Sequence, residues 1–128
     1  MTKYFEKFYL TDDKTTLLCK YAEVHTLLQN AYWTKDRTAS IMHDAIANSL
    51  NYAIFEKSTD YLVGYARVVT DYATVFYLCD VFIDERFRGL GLGKILIEHI
   101  LLHEEKLNGV NGLLKTGDAK PLYERYGF

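Results

Sequence analysis

Two cysteines, Cys19 and Cys79, are all that 128 residues contain, and both sit in apolar strings. That is too few for a disulfide framework and points to free, buried thiols in a reducing compartment. Met1 is followed by Thr-Lys-Tyr-Phe-Glu-Lys, with no apolar signal region, and no long uncharged run occurs anywhere. A soluble, cytoplasmic protein is the expectation. Charge of one sign is also scarce: the net charge is −2, which offers no general attraction to nucleic acid or to an anionic membrane. No repeat, low-complexity tract or linker breaks the chain, so its length predicts one domain over residues 1–128. What the chain has is apolar mass. Hydrophobic residues make up 49%, with eleven Tyr and seven Phe, enough for one real core.

The pattern predicts a strand over Tyr4–Leu10, closed by the turn cluster Thr11-Asp12-Asp13-Lys14. A helix is expected from Tyr21 to Asn30, and a second one capped at Thr38 or Ser40, with Ile41, Ala45, Ile46 and Leu50 on its inner face. Asn51–Glu56 and Tyr61–Thr70 read as strands joined by the turn Lys57-Ser58-Thr59-Asp60. After Asp71-Tyr72-Ala73 a further strand ends at Ile83. Leu92, Ile95, Leu96, Ile100, Leu101 and Leu107 recur at helical steps, stopped by Asn108-Gly109. Gly112–Thr116 is a short strand, and a last helix starts at Thr116 or Asp118 and ends at Tyr126 before Gly127.

Between the strand ending at Ile83 and the long helix lies Arg86-Phe87-Arg88-Gly89-Leu90-Gly91-Leu92-Gly93-Lys94. Glycines at a helix start let backbone N–H groups approach an anion, and the helix dipole favours negative charge there. Arg86, Arg88 and Lys94 add positive charge, so the loop suits a phosphorylated ligand. It is no Walker A loop, since Ile95 follows Lys94 where a hydroxyl is needed, and the glycine spacing fails the dinucleotide fingerprint. The spacing that fits is Arg-x-x-Gly-x-Gly, at Arg88, Gly91 and Gly93. The loop alone leaves open a Gly-rich turn that binds nothing.

That pattern resembles the acetyl-coenzyme A pyrophosphate loop of the GCN5-related N-acetyltransferase (GNAT) superfamily. Ala119-Lys120-Pro121-Leu122-Tyr123-Glu124-Arg125-Tyr126-Gly127-Phe128 resembles the signature near that family's C-terminus. The resemblance runs from about Tyr61 to the end. It implies an α/β (α+β) GNAT fold in the order βααβββαβα, a mixed, mostly antiparallel sheet with helices on both faces. The family's one or two strands after the final Gly-Phe do not follow here; the expectation is a bare sheet edge, with either a shortened sequence or a second copy filling the gap, as a homodimer.

The resemblance also implies site residues. Backbone groups of Val81, Phe82 and Ile83 would hold the pantetheine arm, and Arg88, Gly89, Leu90, Gly91, Leu92, Gly93 and Lys94 the phosphates. Tyr123 matches the tyrosine that protonates the departing thiolate; its alternative is a packing residue, and Tyr126 reads as core. Thr116 stands where the family often has an Asn that contacts the coenzyme, with Asp118 and Lys120 as alternatives. Asp80 is a lone carboxylate in an apolar strand, either a base for the substrate ammonium or a structural partner of Arg67. Arg67 and Asp71 are candidates for a substrate carboxylate or amine. Tyr32 and Trp33, with Arg37, form a candidate substrate wall, unless Trp33 plugs the core. His25, His43, His99 and His103 lack metal-binding spacing, and His99 and His103 read as a solvated face, so no metal is expected. The functions implied are acetyl-coenzyme A-dependent transfer to a primary amine of a small molecule, amino acid or peptide, or a non-catalytic acyl-coenzyme A binding module.

Overall fold

The computed structural model describes residues 2–31 and 33–114. Its centre is a six-stranded sheet in the order β1-β2-β3-β4-β5-β6, antiparallel throughout except for the parallel pair β5–β6. The strands are β1 (Thr2–Phe5), β2 (Phe8–Thr11), β3 (Leu50–Glu56), β4 (Leu62–Thr70), β5 (Val75–Ile83) and β6 (Asn111–Leu114). The helices are α1 (Lys14–Cys19), α2 (Tyr21–Leu28), α3 (Ala39–Ala47) and α4 (Leu92–Glu98). Among the described residues no helix is long and apolar enough to cross a membrane.

The N-terminal run differs from the expected single strand. It folds into a hairpin, β1 against β2, turning at Glu6 with φ 48° and pairing Phe5 with Phe8. No Gly or Asn marks that turn, so the run looks continuous in sequence. The cluster after it is no simple turn either. Asp13 caps α1, its carboxylate accepting from the Thr16 N–H at 3.1 Å. Thr38 caps α3 as expected, accepting from the Ile41 N–H at 3.1 Å. Its inner face is Met42 and Ile46, however, while Ile41 points to solvent and Leu50 already belongs to β3. Cys19 is exposed and Cys79 half-buried, against the expectation of two buried thiols.

Period-two alternation sends strand side chains to two cores. Tyr52, Ile54, Val63, Ala66 and Val68 meet Leu92, Leu96, Ile97 and Ile100 of the helix after the loop. On the opposite face Ala53, Phe55, Leu62 and Tyr65 meet Leu17 of α1, Val24, Leu27 and Leu28 of α2, and Met42 and Ile46 of α3. Leu96 and Ile97 are wholly buried, each contributing about 1.5–3 kcal/mol relative to exposure. The predicted long helix is α4 followed by a π turn over His99–His103, and it ends before the short turn Glu105–Leu107.

One irregularity places the site. Tyr65 pairs with Phe82 and Arg67 with Cys79, so Ala66 of β4 faces both Asp80 and Val81 of β5. This is a β-bulge, with Asp80 left-handed at φ 54°. On its other side β5 pairs with β6 from Val75↔Asn111 to Leu78↔Leu114 among the described residues. The two pairings therefore divide β5 near Cys79.

Candidate active site

Beyond the bulge, the direction of the β5 backbone groups follows from one hydrogen bond. The Asp84 N–H donates to the Val63 carbonyl at 2.8 Å, which makes Ile83↔Gly64 a non-hydrogen-bonded pair. The N–H and C=O of Ile83 then face away from β4, and those of Val81, two residues earlier, face the same side. Arg88 Nε donates to the Ile83 carbonyl at 3.1 Å from that side. A cleft of about 600 Å³ opens there. Val81, Phe82 and Ile83 line it from β5, and Phe87, Arg88, Gly89, Gly91, Leu92 and Gly93 from the loop. Asn30, Ala31 and Trp33 close it from the end of α2.

The loop is built to start a helix against an anion. Gly91 is the α4 cap residue, left-handed at φ 80°, and among the described residues no side chain caps the helix. The first N–H groups of α4 are thereby left for a ligand. Gly93 has no such backbone demand, and a Cβ there would make only an ordinary 3.7 Å contact with Ile83. Its missing side chain clears the approach to the first helical turn. Arg88 is exposed, its guanidinium 5.1 Å above the Phe82 ring. Lys94 is exposed beside Glu98 at 3.8 Å, a pair worth little in water. Leu90 is exposed, while Leu92 anchors the loop in the core.

Arg86 departs from its expected role. Its guanidinium lies 3.1 Å from Asp84 and 4.9 Å over the Tyr61 ring, turned to the strand end instead of the loop. The Arg86 hydrogen bond holds the Asp84 carboxyl below the usual carboxylate range, against burial. Asp84 also accepts from the Arg86 N–H and from the Tyr61 hydroxyl, both at 2.9 Å. This fixes the turn that leads into the loop.

Asp80, one residue before the cleft-lining Val81, sits in an ion cluster. Its carboxylate accepts from Arg37 Nη1 at 2.6 Å, Arg37 Nη2 at 3.3 Å and Arg67 Nε at 2.8 Å. Arg67 Nη1 also donates to Ser49 Oγ at 3.0 Å. Burial alone would push the Asp80 carboxyl up, but the Arg37 hydrogen bonds and the Arg67 charge outweigh it and leave it lowered. The pair with Arg67 is present, and Arg37 joins it. A carboxylate held this way is a weak proton acceptor at neutral pH. Burial raises the neighbouring Cys79 thiol to about 11, so it is no ready nucleophile.

The remaining candidates separate. Trp33 is 47% exposed with its ring edge toward Phe82 at 6.3 Å, so it walls the cleft and does not plug the core. Asp71 is not brought to the cleft. It accepts from the N–H groups of Ala73, Thr74 and Val75 in the β4–β5 turn, near the Thr70↔Phe76 pair. From there to Phe82 is about 20 Å along a strand. Tyr32, Tyr123, Tyr126, Thr116, Asp118 and Lys120 lie outside the described residues. Asn30 and Ala31 were missed, although the expected end of α2 was the signal for them. His99 was misplaced: it is buried, not solvated. Its position three residues after Leu96, on the apolar stripe, was the available clue.

A profile described as an acetyltransferase (GNAT) domain matches residues 48–128. The chain belongs to the GNAT acetyltransferase family. A solved protein from Xanthomonas campestris pv. campestris, assigned to the GNAT family, is 35% identical and superposes with a TM-score of 0.85, over 98% of this chain and 86% of that one. An uncharacterized N-acetyltransferase of Pyropia yezoensis, ycf52, is 27% identical over 97% of this chain and 71% of its own length. An aminoglycoside 6'-N-acetyltransferase complexed with coenzyme A shares the fold at a TM-score of 0.74 and 14% identity, over 92% and 83% of the two chains. Members of the family use acetyl-coenzyme A. Between the two functions that the sequence left open, these relatives decide for an acetyltransferase over a mere binding module.

Proposed function

We propose that residues 1–128 act as one domain that moves an acetyl group from acetyl-coenzyme A to a primary amine of a small molecule, amino acid or peptide. The observation that carries this is the outward-facing backbone of Val81 and Ile83 running straight into the uncapped start of α4. The pantetheine amides take the place of a neighbouring strand along Val81–Ile83. The pyrophosphate lies on the N–H groups of the Arg88–Lys94 loop, with the Arg88 guanidinium adding charge.

In this reading the amine enters beside Trp33 and Tyr32, above the Arg37–Asp80–Arg67 cluster. Its nitrogen attacks the thioester carbon, the C–S bond breaks, and the Tyr123 hydroxyl gives its proton to the thiolate. A phenol suits this step because its ordinary pKa of about 10 lies above that of a thiol. Among the described residues lining the cleft none is a carboxylate or a histidine, so the ammonium proton leaves through water. Asp80 holds the two arginines in place, and their excess positive charge favours an acceptor that carries a carboxylate. The reaction is cytoplasmic, and a second copy along a sheet edge is compatible with it.

The test is a thiol-release assay with acetyl-coenzyme A over a panel of amines, run on the wild type and on Tyr123→Phe. With the best amine, the substitution lowers kcat by about 10²–10⁴-fold and barely moves KM or thermal stability. A kcat within a few-fold of wild type makes Tyr123 a packing residue and water the acid. Coenzyme binding with no thiol release on any amine counts against the transfer itself.

A further inference from the structure

Three side chains at the far end of the α4 helix take no part in this chemistry. Asp12 follows β2, His99 opens the π turn after α4, and Glu104 follows it. One ligand-capable atom from each lies within 4.8 Å of the other two. His99 is 6% exposed, and its Nε2 is buried with no hydrogen-bond partner among the described residues. A buried ring nitrogen left this way is costly, and native folds rarely keep one without a ligand.

The surroundings favour a cation. Glu104 is oriented from outside: Oε2 accepts from the Tyr52 hydroxyl at 2.9 Å and Oε1 from the Lys106 N–H at 3.2 Å. That is the outer support a metal-binding carboxylate needs, and its further lone pairs remain. Glu104 also lines a surface cleft of about 420 Å³, which gives an ion a way in. The π turn itself belongs to a class of helix irregularity that recurs at functional sites.

We propose that Asp12, His99 and Glu104 bind one divalent first-row cation of the zinc class, joining the end of the N-terminal hairpin to the end of the α4 helix. One imidazole nitrogen and two carboxylate oxygens suit Zn²⁺, whereas Mg²⁺ and Ca²⁺ prefer all-oxygen shells. Around a tetrahedral ion with bonds of about 2.0–2.1 Å the ligand atoms stand about 3.3 Å apart. Side-chain rotation that closes the set by about 1.5 Å at its widest meets that geometry, and water takes the fourth position.

The test uses the untagged, chelator-stripped full chain without coenzyme, in a Cys19→Ser/Cys79→Ser background so that thiols cannot compete. Zn²⁺ titrated by calorimetry should bind saturably at one equivalent and raise the melting temperature, and Mg²⁺ at the same concentration should do neither. Co²⁺ should give the intense visible absorption of a tetrahedral site. His99→Gln and Asp12→Asn should each weaken Zn²⁺ binding by about 100-fold or more, exceeding the effect of lost outer support. His103→Gln, exposed on the same turn, should leave it unchanged. If His99→Gln fails to fold in the presence of chelator, Asp12→Asn decides alone. No saturable binding up to about 1 mM Zn²⁺, or affinity untouched in the folded ligand variants, overturns the proposal and leaves His99 as a buried, water-bonded side chain.

Discussion

The two halves of β5 have similar sequences and opposite fates. Phe76–Leu78 is held on both sides, by β4 and by β6, and Phe76 and Leu78 are buried in the core. Among the described residues Val81–Ile83 pairs with β4 alone and shows the cleft its other edge. Between them Asp80 stands left-handed, a conformation that costs a non-glycine residue about 1–3 kcal/mol. Two arginines on its carboxylate offset that cost. The comparison teaches that a strand edge is either structure or binding site, and that a one-residue bulge switches between them. An edge of free N–H and C=O groups pairs with whatever extended amide chain arrives.

Substitutions at three positions sharpen this contrast. The largest effect is expected from Gly91→Glu, which puts a carboxylate and a strained left-handed residue where the phosphates bind. Losing two charge-assisted contacts of about 1.5–3 kcal/mol each predicts a 10²–10⁴-fold fall in coenzyme affinity, read by calorimetry, while left-handed strain of about 1–3 kcal/mol lowers fold stability instead. Unchanged affinity would remove the loop from the site.

Next comes Asp80→Ala, which strands two guanidinium groups and should destabilise the fold by about 3–5 kcal/mol in urea unfolding. Asp80→Gly loses the same charge but accepts the left-handed backbone, so it should be less damaging than Ala by about 1 kcal/mol. Equal losses would mean that the bulge carries no strain. The pH dependence has a definite sign. The folded pKa of Asp80 lies below its ordinary 3.8, so its stabilisation is complete above that value and fades as pH falls through the lower folded one. The Ala variant should lack that fraction of the acid sensitivity.

Arg88→Ala is the mildest of the three. It should weaken coenzyme binding by about 1.5–3 kcal/mol at low ionic strength and by less at high salt. Equal loss at both salt levels would identify the contribution as packing on Phe82.

The glycine loop and the strands around it were legible in the sequence because glycine, charge and hydrophobic period agree there. β3, β4 and the end of β5 stand within a residue of where the pattern put them. The N-terminal hairpin was not, because Glu6-Lys7 carries no turn signature and its left-handed residue has an ordinary side chain. The bulge was hidden for a related reason: period-two alternation does not reveal one extra residue, and only the odd carboxylate of Asp80 hinted at it. Arg86 and Arg88 look alike in sequence. Asp84, which draws the first away from the loop, acts through a turn whose geometry sequence does not display. The burial of His99 depended on which flank of the α4 stripe faces β3, a property of packing.

Amide hydrogen exchange along β5, followed residue by residue with and without coenzyme A, tests the central claim most directly. The account predicts that the Val81 and Ile83 amides gain protection when the coenzyme binds, while Phe76–Leu78, already paired on both sides, change little. A uniform response along the strand, or binding that leaves Val81 and Ile83 as they were, would contradict it.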